Sequence, residues 1–193
     1  MKRWLTYVLA AATAFALVGC DSGEEREQPA ATMNPKLEEK MANPKLEHED
    51  EYFDMRLHVV RTTYKAGEPI EISASLAYTG EEKSYTVWGS SSAQVVFTLT
   101  DGKNFDVDGA STSDLVPTEF KKGETVSYPF VKSGGFGSDD PDADFWKSFY
   151  AEKELKLPAG TYLVTASCNF ALTQDVLKSG YDASVYTTIT VTE

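Results

Sequence analysis

From residue 52 to residue 193 the sequence predicts an all-β domain, an antiparallel sandwich of seven to eight strands with one short helical insertion near 140–152. Three observations predict it. Apolar residues alternate with polar ones in run after run, the period of a strand with one face buried. Glycine, proline, asparagine and aspartate punctuate the runs where turns are needed. Aromatic residues recur at helical spacing in one stretch only, at Phe145, Trp146, Phe149 and Tyr150.

The first strand is written in Phe53, Met55, Leu57 and Val59, which share one face while Asp54, Arg56 and His58 share the other. Ala66-Gly67-Glu68-Pro69 turns the chain. Ile70, Ile72, Ala74, Leu76 and Tyr78 form a second alternating run, which stops at Thr79-Gly80-Glu81-Glu82. Strands follow at 85–88 and 94–100, with Ser90-Ser91-Ser92 read as a connector between them. Asp101-Gly102 is a hairpin dipeptide, because the favoured tight turn needs positive φ at both central positions, and it leads into 104–107. The strand at 125–131 carries Val126, Tyr128 and Phe130 on one face. Tyr162, Val164, Ala166, Cys168, Phe170 and Leu172 make the strongest alternation in the chain, and a last strand covers 184–191.

The passage from Leu155 through Pro158, Gly160 and Tyr162 to Ala166 reads LKLPAGTYLVTA. It resembles the turn and penultimate strand of immunoglobulin-like domains, where a tyrosine near the strand start bonds back across the corner. The resemblance implies an Ig-like topology and gives Tyr162 that role. The disulfide and companion tryptophan of antibody-type domains are absent. Cys168 is expected in the core, where a free cysteine behaves as a small hydrophobe.

Ahead of this domain the chain opens MKRWLTYVLAAATAFALVGC. Two cations precede an apolar run at 4–18 that is short for a membrane span and ends in small residues, the form of an export signal. Leu17-Val18-Gly19-Cys20 resembles the lipobox of bacterial lipoproteins. That resemblance implies cleavage after residue 19, a diacylglyceryl lipid on Cys20, and anchorage to the outer face of the cell membrane with the bilayer as first partner. Two acyl chains hold where one is reversible, each buried methylene adding roughly 0.8 kcal/mol. With Cys20 lipidated, Cys168 has no partner for a disulfide, so the core must hold the fold.

After the signal come 16 basic and 30 acidic residues, a net charge of −14. Such a balance disfavours nucleic acid and other polyanions, which need clustered Lys and Arg. Residues 20–51 are nearly free of aromatic and β-branched side chains and are expected to form a disordered acidic tether. Within them Asn34-Pro35-Lys36-Leu37-Glu38 recurs as Asn43-Pro44-Lys45-Leu46-Glu47, a duplication that lengthens a spacer and is too short for a repeat architecture.

No nucleophile elbow, phosphate loop, zinc helix or paired CxxC occurs, and no catalytic residue is assigned. Cys168 points inward and His58 outward, which argues against a dyad between them. Asn104, Asp106 and Asp108 imitate a calcium loop, but Leu115 stands where a bidentate glutamate belongs. Asp140, Asp142 and Asp144 are the remaining candidate calcium ligands. A helix start explains them better, with Asp140 as cap, Pro141 at the first position, and Asp142 and Asp144 at the positive end of the dipole. No cofactor beyond the lipid is required. Phe136, Asp139 and Trp146, in the loop and helix at 133–146, are the candidate binding surface.

Taken whole, the lipobox, the charged tether and the passages YKAGEPIEISASLAYTGEE, FTLTDGKNFDVDG and KSGGFGSDDPDADFWKSFY resemble a group of uncharacterised surface lipoproteins of Bacillus-type bacteria. More distantly the domain resembles the BsuPI-type proteinase inhibitors, which share an Ig-like sandwich and a similar GxY turn. Three functions are expected in descending order. The first is a non-catalytic binding or accessory module recruiting an envelope protein or glycan. The second is inhibition of an extracytoplasmic protease through 133–144. The third is calcium-dependent adhesion or hydrolysis.

Overall fold

The computed structural model describes residues 33–193; the expected signal peptide, Cys20 and the tether up to residue 32 lie outside the described residues. The described chain is an all-β sandwich of two sheets. In order it forms α1 (Pro35–Ala42), β1 (Glu47–Glu49), β2 (Phe53–Val59), β3 (Thr63–Lys65), β4 (Ile72–Tyr78), β5 (Ser84–Gly89), β6 (Val95–Thr100), β7 (Asp106–Val107), β8 (Val116–Lys121), β9 (Thr125–Pro129), α2 (Ala143–Ala151), β10 (Gly160–Ala171) and β11 (Gly180–Thr192). One sheet runs β1-β2-β4-β9. The other runs β3-β11-β10-β5-β8, with β6 also on β10 and β7 on β6.

Every expected strand is present, and the surplus is β1 and β3, short pieces that alternation over a few residues cannot announce, together with β8, in which Phe120 alone is buried. The pairing is antiparallel with one exception: β3 lies parallel to β11, joining Thr63–Lys65 to Thr190–Thr192. That strand reaches the second sheet directly after β2 leaves the first, so the crossing sets its direction.

Alternation fixes what each sheet buries. Phe53, Met55 and Leu57 of β2 face Tyr162, Val164, Ala166 and Cys168 of β10 across the interior, all at or below 5% exposure. Phe53 is its aromatic centre, edge-on to Phe120 and Phe170 at 5.3 Å each, a geometry the ring quadrupoles favour. The expected corner is present: Tyr162 Oη donates to the Pro158 carbonyl at 3.0 Å. Gly160 lets the ring fold back, since a Cβ there would stand 2.9 Å from that hydroxyl.

The tether boundary needs correction. Residues 35–42 are helical and 47–49 form an edge strand, so the fold starts well before residue 52. Asn34 caps the helix by accepting from Lys36 N at 2.9 Å, with Pro35 in its first turn. α1 lies over the outer side of β10 and β11, where Thr188 Oγ1 donates to the Met41 carbonyl at 2.8 Å. Leu163 and Thr165, outward-pointing on β10, are accordingly buried. Composition shows that such a segment cannot fold alone; this one folds on a sheet that already exists. Asp50 pins its end, accepting from Tyr52 N and Phe53 N at 2.8 and 2.9 Å and from Tyr181 Oη at 2.8 Å.

Candidate functional site

The acidic and aromatic stretch, expected both to dock a short helix through its aromatics and to offer a surface at Phe136, Asp139 and Trp146, is mainly a packing element. α2 begins at Ala143, two residues later than anticipated, with Asp142 at its cap position and no side-chain cap bond. The Asp140 carboxylate instead accepts from Asp142 N at 2.8 Å, while its carbonyl accepts from Ala143 N. Asp140 thus closes the turn before the helix, because Pro141 and Asp142 are spent in that turn. Among the described residues no three His, Cys, Asp or Glu side chains gather to hold a metal, so Asp140, Asp142 and Asp144 do not form a ligand set.

Trp146, expected at the surface, is 8% exposed and packs its ring 5.1 Å from Phe105 and 5.7 Å from Phe149. Helical spacing aimed it inward. Phe136 stacks on Tyr150 at 6.3 Å and is 40% exposed, and Asp139 is exposed beside it. Lys132 closes the far end of α2, its ammonium donating to the Phe149 and Glu154 carbonyls at 2.6 and 2.9 Å. Burial there lowers its pKa.

Nucleophile and base stay apart. Cys168 is 1% exposed on the inner face, and burial pushes its thiol up to about 12. His58 lies on the outer face of β2, its Nε2 2.8 Å from Ser75 Oγ, with no carboxylate on its other ring nitrogen among the described residues. Ser75 is buried at 8% exposure, and His58 stands exposed at the edge of a depression. This depression, of about 900 Å³ between Val60, Ile70, Phe130 and Leu155, is also lined by Glu71, Lys132 and Lys153, with Glu152 and Glu154, which Lys156 engages from outside it at 3.3 and 2.8 Å.

A different feature gathers polar groups without using them up. β10 carries β6 opposite 163–168 and β5 opposite Ala171, so β5 and β6 lie along one line beside it. Cys168 faces Val95 and Ala171 faces Trp88: three steps along β10 are opposed by seven, and four residues are extruded. This is an enlarged bulge, a device that re-aims side chains at functional sites. The extruded piece is the serine run.

Ser90 Oγ lies 2.8 Å from both Ser92 Oγ and Thr112 Oγ1. Ser91 N donates to Asp114 Oδ1 at 3.1 Å, and Thr112 Oγ1 donates to the same oxygen. The hydroxyls of Ser91 and Thr112, with the Ser91 amide, hold the Asp114 carboxyl down at about 2. Gln94 Nε2 bonds back to the Ser90 carbonyl and Thr118 Oγ1 at 3.1 and 3.0 Å. Between this cluster and the outer side of β10 opens a cleft of about 530 Å³, lined by Trp88, Asp114, Leu115, Asn169 and Val176. Trp88 is half-buried and Asn169 exposed, its amide unpartnered among the described residues.

The serine run reads locally as a connector; its signal was the glycine and three serines breaking two strand runs that would otherwise be continuous. Nothing near it in sequence points to Asp114 or Asn169.

No family model matches the chain, and no curated protein sequence does. Among solved structures, the sporulation control protein Spo0M from Bacillus subtilis superposes with a TM-score of 0.36 at 13% identity, over 74% of this chain and 50% of that one. The chain thus spans half the length of that protein. Among the described residues no helix is long and apolar enough to cross a membrane.

Proposed function

We propose that this chain is an exported lipoprotein, held on the outer face of the cell membrane through lipid on Cys20, whose sandwich works as a non-catalytic binding or accessory module. The cleft beside β10 carries the reading. It joins an apolar wall to a few fixed polar groups, the usual make-up of a ligand site, and its volume of about 530 Å³ falls within the roughly 300–1,000 Å³ such sites occupy. Catalysis finds less support, because the Cys168 thiol is buried and His58, beside Ser75, has no orienting carboxylate among the described residues.

Two measurements test the two halves. Metabolic labelling with a radioactive fatty acid should mark the wild-type chain and leave Cys20→Ala unmarked; labelling of both would sink the anchor. A photo-crosslinking residue at Ser113, on the cleft rim, should trap an envelope component in intact cells. The same probe at Lys83, beyond the cleft, should not, and equal yields would remove the binding role from the cleft.

Protease inhibition is a second reading, supported by the exposed segment 134–139, which presents no regular structure and is braced where Ser133 Oγ accepts from Ala110 N at 3.0 Å. Slowing of a secreted serine protease at stoichiometric chain would favour it, and no slowing across a panel would remove it.

A further inference from the structure

We infer that the cleft between the serine excursion and β10 takes a neutral sugar unit of a glycan; this rests on the binding role proposed above and names its ligand class. A pyranose ring has an apolar C–H face and an edge of hydroxyls, each able to donate and accept. A site for it needs an aromatic or aliphatic wall together with planar polar groups fixed at the rim.

Both are present. Trp88 and Leu115 supply apolar wall, Leu115 remaining 47% exposed although it stands beside a cleft that would otherwise invite its burial. Asn169 offers an amide that donates and accepts, and Asp114 an ionised carboxylate held by one oxygen, which leaves the other to accept from a hydroxyl. The serine and threonine bonds lock Asp114 before any ligand arrives, so little ordering is lost on binding.

Charge decides against the alternatives. Asp114 keeps its negative charge at every ordinary pH, no Lys, Arg or His among the described residues lines the cleft, and the chain carries −14 beyond the signal. An anionic polysaccharide, a nucleotide or a phospholipid headgroup would meet repulsion with no cation in compensation. A neutral sugar meets none.

The position suits a polymer. The cleft is open on the outer side of the sheet and bounded by loops at 89–94 and 111–115, so one unit can enter while its neighbours continue past the rim.

The test is calorimetric titration of the full chain, purified in detergent, with cellotetraose, maltotetraose and the tetramer of N-acetylglucosamine, and with a heparin fragment as the anionic probe. At least one neutral oligosaccharide should bind and heparin should not. Trp88→Ala should weaken that binding about tenfold or more, the scale of a central aromatic anchor. Asn169→Ala, at an exposed position, should weaken it severalfold, with circular dichroism and melting temperature confirming that it folds. Binding of heparin in preference to the neutral sugars, or equal binding by both variants, would overturn the assignment. Absence of sugar binding while the Ser113 crosslinker still traps an envelope protein would overturn the sugar and leave the binding role standing; absence of both would end the two together.

Discussion

Two tryptophans mark two regions of this molecule, one that the sequence sets apart and one that it does not. Trp146 sits in the acidic, aromatic stretch that draws the eye, and it is buried against Phe105 and Phe149. Trp88 ends an ordinary strand before a serine run, and it lines a cleft with Asp114 and Asn169. Conspicuous local chemistry in the first region is the chemistry of docking a short helix. The second is built from three segments far apart in sequence, each unremarkable alone. A packing element has to be written locally, because spacing decides which side chains face the core; a polar site can be assembled by topology.

Four substitutions distinguish the two regions, in order of falling effect. Trp146→Ala should cost about 3–5 kcal/mol in urea unfolding, as large-to-small changes in packed aromatic cores do. A near-neutral result would make α2 a detachable surface element and restore it as a candidate site.

Asp50→Asn should cost roughly 1–3 kcal/mol at pH 7, since it weakens acceptor bonds that tie the N-terminal segment to Tyr181. Its pH dependence has a definite sign. Burial works to raise the Asp50 pKa, but hydrogen bonds from the Phe53 and Tyr52 amides, Tyr181 and His48 together lower it below the ordinary 3.8. The stabilisation is therefore full above the unfolded value and fades as pH falls through the lower folded one. The gap between wild type and variant should narrow in acid below about pH 4; a gap that widens there would contradict the network.

Tyr162→Phe removes the corner bond to Pro158 alone and should cost about 1 kcal/mol, with an unchanged fold by circular dichroism. Asp114→Asn, which keeps an acceptor oxygen at an exposed position, should change stability least of the four. A loss as large as that of Asp50→Asn would make the hydroxyl cluster a structural staple and deprive the cleft of its meaning.

Strand positions were legible because burial on one face imprints period two, and β2 and β10 appear where alternation puts them. The corner was legible as well, since Leu157-Pro158-Ala159-Gly160-Thr161-Tyr162 confines its own chemistry to one turn. The N-terminal segment was not. Its duplicated pentapeptide shows why: Asn34-Pro35-Lys36-Leu37-Glu38 caps and begins α1, whereas Asn43-Pro44-Lys45-Leu46-Glu47 is extended, Lys45 exchanging backbone bonds with Tyr186 at 2.9 and 2.6 Å. Five identical residues take two conformations because their neighbours differ. The first copy runs into the helix formers Glu39, Lys40, Met41 and Ala42; the second meets the side of β11. The serine excursion stayed hidden for the same reason, since a bulge is defined by the strand opposite it, and β10 lies some seventy residues away.

Amide chemical-shift mapping on the nitrogen-labelled full chain in detergent, during titration with the neutral oligosaccharide that binds in calorimetry, locates the ligand on the fold. Shifts concentrated at 88–94, 111–115 and 167–171 are the predicted result. Shifts concentrated at 133–150 would place the ligand on the aromatic helix and rule out the cleft.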